Sequence, residues 1–331
     1  MIDNTIVVLV TGVGDTVGQA VLKAARACTD RVRIVATDAD PGAVGLAWAD
    51  VAVTLPHSGD RESYLAALTS VCLTEDVDLV FPTSERELVV VSAEAGRLSD
   101  ETGAHIVAAS TSVLEVALDK WETCRFLARQ GLAHPAHARP EHPEEVDRLV
   151  ADVGYPLLVK PRRGTGSRGV QLLTTPADLG ALRAEPGALV LQELLGTADE
   201  EFSAATWTCQ DGTIRGPVSY RRGLVSAGDT AVADVRPHPD VDVEARGVAR
   251  ALGILGPCNV QLRRTPRGPV TFEINPRFSG GASIRAHFGF NEVEMAVTEH
   301  ARGGPVPPPS LSTGTARRFW AEQYVDEVAT S

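Results

Sequence analysis

CNVQLRRTPRGPVTFEINPRFSGG, residues 258–281, has the pattern of two strands that carry polar side chains where a strand pair is usually apolar. Its middle contains Pro266 and Gly268, which favour a turn because proline restricts φ and glycine permits positive φ. We therefore predict a β-hairpin that turns between Thr265 and Gly268. The polar residues in its strands need a functional explanation.

The second strand of this hairpin divides its side chains between two faces. Successive side chains of a strand point to opposite faces, so Glu273, Asn275 and Arg277 share one face. Phe272 and Ile274 share the other face, and we predict that both lie in the core. A buried row of carboxylate, carboxamide and guanidinium groups is costly unless a bound partner pairs with it.

A bound cation together with a polyanion would pair with this polar face. Mg²⁺ is commonly held by one or two carboxylates and substrate phosphates, and carboxamides can add oxygen ligands. Glu273 would hold the metal, with amide oxygens from Asn275 and from Gln261 on the facing strand. Arg277 would then face phosphate. Because E-x-N-x-R is a short pattern, an exposed hairpin with ordinary salt bridges is the alternative for this stretch alone.

Composition narrows the class of protein. The 331 residues predict two or three domains, and a net charge of −12 without a basic block argues against nucleic acid or an anionic membrane surface as the partner. Five cysteines without C-x-x-C spacing are expected to be reduced core residues. The first residues form no export signal, and their apolar run is too short to span a membrane, so we expect a cytoplasmic protein.

The first part of the chain alternates strand and helix patterns. A β-branched run at 5–11 precedes the glycine turn GVGDTVG at 12–18, and strand patterns recur at 33–37, 76–84 and 105–109. This alternation predicts a parallel sheet in one α/β domain over residues 1–112. The glycine spacing departs from the G-x-G-x-x-G of dinucleotide sites, so we expect these glycines to serve strand–helix packing beside a substrate. A dinucleotide oxidoreductase is the alternative.

A lysine precedes a second glycine-rich segment. Lys160 ends the strand pattern YPLLVKP and is followed by RRGTGSRG at 162–169. Loops rich in free backbone N–H groups bind phosphates, so this arrangement predicts a phosphate site. It is not a Walker A loop, because no Lys-Ser or Lys-Thr follows the glycines. A surface hairpin that uses glycine for turning is the alternative for this segment alone.

Five motifs in order resemble the ATP-grasp enzymes, in particular the branch that contains the carbamoyl phosphate synthases. They are Asp119-Lys120 at a helix start, YPLLVKPRRGTGSRG, LQELLGTADEEF, NVQ at 259–261 and EINPRFSGG from Glu273. The resemblance covers residues 119–281 and implies an α/β protein with the ATP-grasp fold. Its parts would be a Rossmann-like parallel-sheet domain at 1–112, a small α+β lid domain at 113–190 and a C-terminal antiparallel-sheet grasp domain at 191–331.

The same resemblance implies an ATP site between the lid and the grasp sheet. Lys120 and Lys160 would contact the phosphates, and a mobile loop would close over them. The loop residues implied are Arg163, Gly164, Thr165, Gly166 and Ser167. The adenine would lie against Gln192, Glu193, Leu194 and Leu195, and the ribose against Glu201.

A metal site and a reaction also follow from the resemblance. It implies Gln261, Glu273 and Asn275 as ligands of Mg²⁺, with Glu273 bridging two ions and Mn²⁺ as an alternative metal. Lys160, Asn275 and Arg277 would be catalytic, because they neutralise charge on the transferred phosphoryl group and on the acyl oxygen. A substrate carboxylate would attack the γ-phosphate of ATP to give an acyl phosphate and ADP, and an amine would then form the amide.

One departure from the resemblance bears on the substrate. Where carbamoyl phosphate synthases have a His before Gly-Asp, this chain has Ser226, which disfavours bicarbonate. We therefore expect an ATP-dependent carboxylate-amine ligase, with a carbamoyl-phosphate-forming enzyme and a catalytically silent ATP sensor as alternatives. Arg222 and Arg285 are candidates to hold a substrate carboxylate, with an ordinary solvated arginine as the alternative. Glu85 is a candidate to hold an amine, with a role in capping a helix as the alternative. The partners would be small carboxylate and amine molecules. The resemblance also implies a homodimer, because members of the family commonly form one.

Overall fold

A computed structural model describes residues 5–164, 166, 168–182, 185–225, 228–319 and 321–324. Within that part of the chain, no helix is both long and apolar enough to cross a membrane. All five cysteines are free thiols, and four of them are buried, as the sequence predicts.

The N-terminal part is a parallel five-stranded sheet with the order β3-β2-β1-β4-β5. Its strands are β1 Ile6–Val10, β2 Val32–Asp38, β3 Val51–Thr54, β4 Leu79–Phe81 and β5 His105–Ile106. The helices are α1 Thr16–Arg26, α2 Arg61–Thr74, α3 Glu85–Ala93 and α4 Ala95–Thr102, with a 3-10 turn at Val44–Trp48. The predicted parallel sheet is confirmed, although its last strand ends earlier than the apolar run at 105–109 suggests.

Two helices lead into a separate four-stranded antiparallel sheet, which we call the lid sheet. The helices are α5 Thr111–Ala117 and α6 Lys120–Arg129, and Asp119 caps α6 by accepting from the backbone N–H groups of Trp121 and Glu122. The lid sheet contains β6 His137–Ala138, β7 Leu157–Pro161, β8 Gln171–Leu173 and β9 Leu189–Glu193, together with α7 Pro143–Val153 and α8 Pro176–Gly180. It has its own small core, which includes Leu149, Leu157 and Leu191.

The C-terminal part is a six-stranded antiparallel sheet, which we call the grasp sheet, with the order β14-β13-β10-β11-β12-β15. Its strands are β10 Glu201–Thr208, β11 Ile214–Leu224, β12 Thr230–Val235, β13 Gly256–Thr265, β14 Gly268–Asn275 and β15 Gly314–Arg317. The helices are α9 Pro239–Leu252, α10 Ala282–His287 and α11 Glu292–Ala296, which continues as a π-helical turn at Val297–Ala301. A 3-10 turn at Ala198–Glu200 precedes β10.

One continuous core joins the parallel sheet to the grasp sheet. Val8 and Phe81 of the first sheet belong to the same apolar cluster as Trp207 and Phe278. The rings of Phe81 and Phe278 lie 5.2 Å apart, edge to face. This shared core places α1 beside the loop that follows β14, so both ends of the chain contribute to one cleft.

The hairpin β13–β14 forms with the predicted turn, but a β-bulge changes the faces of its second strand. Gln261 pairs with Glu273, whereas Leu262 pairs with Thr271, so Phe272 is the extra residue of the bulge. Ile274 is buried in the core as predicted, and Thr271 is buried with it. The core prediction is wrong for Phe272, because the bulge turns its side chain into the crevice that the lid sheet faces.

Candidate active site

The polar face of β13–β14 brings three oxygen-bearing side chains together. Asn275 donates from Nδ2 to Oε1 of Glu273 at 2.9 Å, and Gln261 donates from Nε2 to the same oxygen at 3.3 Å. One carboxylate and two carboxamides form the hard oxygen donor set that suits Mg²⁺. For Asn275, a half-turn of its amide would present the oxygen in place of the NH₂ group, so this face fits a magnesium ion.

Gln261 is oriented by an arginine from a neighbouring strand. Nη1 of Arg222 donates to Oε1 of Gln261 at 2.8 Å and to Oε1 of Glu201 at 2.9 Å. Arg222 also donates from Nε to Oγ1 of Thr230 at 2.9 Å and from Nη2 to the carbonyl oxygen of Gly228 at 2.7 Å. Four of the five N–H groups of Arg222, which lines the cleft, therefore have protein partners. Only the second lone pair of the Gln261 oxygen remains for a metal.

Glu201 is the buried anion between two arginines. Its Oε2 accepts from Nη2 of Arg263 at 2.9 Å, while its Oε1 accepts from Arg222, and only 4% of the residue is exposed. Arg263 also donates from Nη1 to the carbonyl oxygen of Leu195 at 2.9 Å. Glu201 thus ties β10 to β11 and β13, and the predicted contact with a ribose would have to share its oxygens with these arginines.

Arg285, the second predicted substrate arginine, lies inside the protein. It is 0% exposed and forms an ion pair with Glu292 at 2.9 Å, where Glu292 is also 0% exposed. Nη2 of Arg285 donates to Oγ of Ser279 at 2.9 Å. Burial raises the pKa of Glu292, and the Arg285 guanidinium opposes that shift. Arg285 therefore holds α10 and α11 together and does not line the cleft.

A cleft of about 300 Å³ opens beside the polar hairpin face. Its walls come from the glycine turn at 12–18, from the glycine-rich loop at 162–169, which we call the lid loop, from the grasp sheet and from the segment after β14. Arg277 lies in this cleft and donates from Nη1 to the carbonyl oxygen of Phe278 at 2.7 Å. Burial lowers the pKa of Arg277, and the carboxylates of Glu85, Glu273 and Asp15 oppose that shift. The negative charges of these three carboxylates therefore favour the charged form of the guanidinium that is predicted to act on the substrate.

Glu85 reaches the same region from the first turn of α3. Burial raises its pKa, and the positive charges of Arg277 and Lys120 oppose the shift. The residue follows the carboxyl end of β4, the edge at which parallel sheets bind ligands. The sequence-predicted Glu85 therefore lies within the electrostatic environment of the cleft.

A second crevice lies between the lid sheet and the hairpin. It is lined by Pro135, Leu158, Lys160, Gln192, Glu193, Leu195, Arg263 and Phe272. Burial lowers the pKa of Lys160 to about 8, and the carboxylate of Glu273 opposes that shift. Nζ of Lys160 lies 5.5 Å from the ring centre of Phe272. Four predicted nucleotide contacts, Lys160, Gln192, Glu193 and Leu195, therefore meet in one crevice, whereas Leu194 is half-buried next to it.

Two of these predicted contacts already have protein partners. Oε2 of Glu193 accepts from Nη2 of Arg267 at 2.6 Å and from the backbone N–H of Ala136 at 2.9 Å. Nε2 of Gln192 donates to Sγ of Cys124 at 3.1 Å, and its Oε1 is buried without a hydrogen-bond partner within the described residues. A buried oxygen without a partner is costly, so Gln192 is prepared to accept from a ligand.

The lid loop is held at its base by ion pairs. Nη2 of Arg162 lies 2.8 Å from Oδ2 of Asp119, and Nε of Arg163 lies 3.6 Å from the same oxygen. Nζ of Lys120 donates to the carbonyl oxygen of Gly164 at 2.8 Å. Gly164 has φ +122°, and a Cβ atom there would meet only open space, so its glycine serves the backbone conformation and not packing.

Gly166 also has a positive φ and open surroundings, and it lines the cleft. Thr165 and Ser167, which were predicted to contact phosphate, and Ser226, which was predicted to affect the choice of carboxylate, lie outside the described residues.

Sequence reasoning missed several residues of the cleft wall. Asp15 and Thr16 begin α1, Tyr220 comes from β11, and Arg318 follows β15. Asp15 could have been found from its position directly after a strand of a parallel sheet. Arg318 had no local signal, because it reaches the cleft only through the pairing of β15 with β12.

Comparison with known proteins identifies the family. Residues 186–317 match a family model described as ATP-grasp in the biosynthetic pathway with Ter operon, and residues 8–106 match the PylC-like N-terminal domain. A probable alpha-L-glutamate ligase of Stenotrophomonas maltophilia is 30% identical over 234 residues, which cover 68% of this chain and 78% of that protein. This chain belongs to the ATP-grasp ligase family. The predicted resemblance and the predicted ATP-grasp fold class are thus confirmed.

Two further proteins are similar to this chain, one in sequence and one in fold. The carbamoyl phosphate synthase large chain of Kocuria rhizophila is 27% identical over 190 residues, which cover 54% of this chain but 17% of that protein. The chain therefore spans about a sixth of the length of that relative. The biotin carboxylase domain of Hydrogenobacter thermophilus 2-oxoglutarate carboxylase, solved with MgADP and bicarbonate, has a TM-score of 0.69. It covers 91% of this chain and 70% of its own, at 16% identity, and so shows the shared ATP-grasp fold.

Proposed function

We propose that this protein is an ATP-dependent carboxylate-amine ligase that forms an amide bond through an acyl phosphate. The observation that carries the proposal is the convergence of Glu273, Asn275 and Arg277 on a cleft that adjoins the Lys160 crevice. A phosphate site and a carboxylate site side by side are what the transfer of a phosphoryl group to a carboxylate needs. The glutamate ligase relative supports the same reaction type.

The residues of the crevice and those of the cleft would have different roles in the reaction. Lys160 and Lys120 would neutralise phosphate charge, and the lid loop with Arg163, Gly164 and Gly166 would close over the nucleotide and exclude water. Arg277 would hold the carboxylate as its oxygen bonds to the γ-phosphorus and the bond to ADP breaks. The amine nitrogen would then bond to the acyl carbon, and phosphate would leave while the amine releases its surplus proton.

Magnesium fits the hairpin face and would be held by Glu273 and Asn275, with Gln261 sharing its oxygen with Arg222. When bound, the ion would neutralise negative charge on the phosphate oxygens during transfer. We propose that this face would hold two ions, with Glu273 as their principal charged ligand and Mn²⁺ as a substitute metal. Mg-bound ADP in a structural neighbour supports the choice of nucleotide and metal.

The proposed reaction is tested by release of ADP from Mg-ATP. Pools of amino acids and small carboxylates are added to the purified chain, with bicarbonate and ammonia in separate wells, and Glu273→Gln serves as the inactive control. ADP release that needs both a carboxylate and an amine is the expected result. Release with bicarbonate alone would replace the proposal by carboxyphosphate formation, and ATP binding without release in any well would contradict catalysis.

A further inference from the structure

One row of side chains crosses the grasp sheet along the cleft, beginning at the polar hairpin face. Glu273 on β14 pairs with Gln261 on β13. Gln261 pairs in turn with Ser203 on β10, and Ser203 pairs with Tyr220 on β11. Residues paired directly across strands point to the same face, and all four of these line the cleft. Tyr220 therefore lies three strand spacings, about 14 Å, from the predicted metal ligand Glu273.

The hydroxyl group of Tyr220 differs from the other polar groups of this row in its lack of a partner. Oγ of Ser203 donates to Oδ1 of Asn259 at 2.6 Å, and Nε2 of Gln261 donates to Glu273 at 3.3 Å. Tyr220 is 2% exposed, and its side chain belongs to the core that joins the two sheets. Its hydroxyl forms no hydrogen bond with any residue that the structure describes. A tyrosine hydroxyl in such buried surroundings usually has a partner, so this one is prepared for a ligand.

A glycine allows this hydroxyl to lie beside the open space of the cleft. A Cβ atom on Gly281 would lie only 2.2 Å from Oη of Tyr220 and 2.8 Å from Nη1 of Arg285. Gly281 has φ −87° and ψ −3°, a conformation that any residue adopts, so its backbone does not require glycine. The missing side chain therefore serves the close approach of Tyr220 to Gly281, which itself lines the cleft.

A guanidinium on the buried side of Tyr220 favours one direction for the hydroxyl proton. Nη1 of Arg285 lies near the same point beside Gly281, and it is buried without a hydrogen-bond partner within the described residues. Arg285 is 0% exposed, so this positive N–H group lies on the protein side of the hydroxyl. A nearby N–H donor attracts the oxygen lone pairs and leaves the O–H proton directed elsewhere. Tyr220 is thus placed to donate toward the cleft.

The charged groups elsewhere on the cleft wall differ from Tyr220 in their access to water. Four of them are exposed, namely Asp15, Arg168, Asp229 and Arg318. Water can satisfy an exposed group before and after a ligand binds. A nearly fully buried hydroxyl loses that option, and sites with such groups reject analogues that leave them unpaired. Tyr220 is therefore the group on this wall from which selectivity for a ligand is expected.

We infer that Tyr220 is a specificity-determining residue, whose hydroxyl donates to an oxygen of the carboxylate substrate at the end remote from the reacting carboxylate. This inference rests on the proposed ligase function and deepens it. Arg277, which would hold the reacting carboxylate, and Gly281 belong to one short segment between β14 and α10. A carboxylate held by Arg277 can extend along this segment to the Tyr220 hydroxyl. The substrate is then a carboxylate with a second oxygen acceptor, and a purely aliphatic acid is selected against.

Calorimetry in the presence of Mg-ADP tests this inference with matched pairs of carboxylates. In each pair a methyl group replaces one carboxylate: butyrate for succinate, valerate for glutarate, and L-norvaline for L-glutamate. At least one compound with the second carboxylate should bind about tenfold or more tightly than its aliphatic match, as expected for a hydrogen bond to a charged group. Tyr220→Phe should reduce this preference by about tenfold and leave the affinity for Mg-ADP unchanged, because it removes only the hydroxyl.

Tyr155→Phe is the matched control, because Tyr155 packs against the core of the lid sheet and does not line the cleft. Equal binding within every pair, no binding of any compound at millimolar concentration, or an unchanged preference in Tyr220→Phe would each overturn the inference. Where a carboxylate also supports ADP release, Tyr220→Phe should raise its KM about tenfold without changing the KM for Mg-ATP.

The same measurements separate this inference from the ligase function. A preference that Tyr220→Phe removes, without ADP release from any carboxylate pool, would leave the hydroxyl contact standing and contradict the ligase function. ADP release from carboxylates that shows no preference within the pairs would do the reverse.

Discussion

Two sets of charged side chains in this protein look alike in sequence and differ in what they contact. Glu273 and Arg277 face the cleft, and Lys160 faces the adjoining crevice, where their partners are other polar groups and open space. Arg285 is bound to Glu292, and both are fully buried. A buried charge pair of this kind holds structure together, whereas charges at a cleft are available to substrate.

This difference shows that the type of residue does not reveal its role. Arg222 and Arg285 follow strand and glycine-rich patterns that suggest a substrate clamp, yet each is paired with an internal carboxylate at about the same distance, 2.9 Å. Burying two paired charges costs desolvation that their attraction only partly repays, so such pairs are retained for structural reasons or for specificity. The two sets can therefore be separated by variants that affect turnover or stability, but not both.

The cleft-facing set should show the largest effect on activity. Glu273→Gln should abolish turnover, a loss of about 10³-fold or more, because it removes the single carboxylate of the predicted metal face. The midpoint of urea unfolding should stay unchanged, since Glu273 is half-buried and Gln has nearly the same shape. ADP release and unfolding are measured on the same preparation, with Glu115→Gln as a control, because Glu115 is exposed on α5. An active Glu273→Gln protein would remove the metal assignment.

The buried set should show the opposite result. Arg285→Met should lower the free energy of unfolding by about 3–5 kcal/mol, because it leaves the Glu292 carboxylate buried without its partner. The double variant Arg285→Met with Glu292→Met should recover most of that loss, because no charge then remains buried. Urea unfolding of both variants measures the difference. A stable Arg285→Met protein that loses substrate affinity would instead place Arg285 in the binding site.

A variant of Lys160 tests whether the crevice binds the phosphates of ATP. Lys160→Ala should weaken Mg-ATP binding by about 10- to 100-fold, because the ammonium loses its phosphate partner. Lys23→Ala is a suitable control, since Lys23 lies over the ring of Trp48 in the N-terminal domain, away from the crevice. Calorimetry measures both affinities. Unchanged ATP affinity in Lys160→Ala would exclude the phosphate role.

The pH dependence of ATP binding gives a smaller effect with a defined sign. Burial lowers the pKa of Lys160 to about 8, so the free protein loses this positive charge as pH rises above that value. Affinity for Mg-ATP should be nearly constant below pH 8 and should fall above it, by at most about tenfold per pH unit for one proton. Calorimetry from pH 6.5 to 9.5 measures the profile, and Lys160→Ala should lack the decline.

Much of the fold could be predicted because the patterns are local. The alternation of strand and helix over the first hundred residues predicts the parallel sheet, and Pro266 with Gly268 predicts the hairpin turn, since each depends on neighbouring residues only. Phe272 was predicted in the core by strict alternation, and the structure corrects this because a β-bulge adds one residue to the strand. The partners of Arg222 and Arg285 also could not be predicted, since Glu201 and Glu292 reach them only in the folded chain.

The sequence by itself determined the family, the fold class and the set of groups that the chemistry needs, because E-x-N-x-R, the lysine before the glycine loop and the order of motifs are carried by short segments. Only the tertiary structure decided which of these groups are free to act. The ion pairs of Arg222 with Glu201 and of Arg285 with Glu292 depend on how the sheets and helices pack. The same packing brings Asp15 and Arg318, from opposite ends of the chain, to the wall of one cleft. Charge, spacing and burial at the cleft are properties of that packing, so no local pattern encodes them.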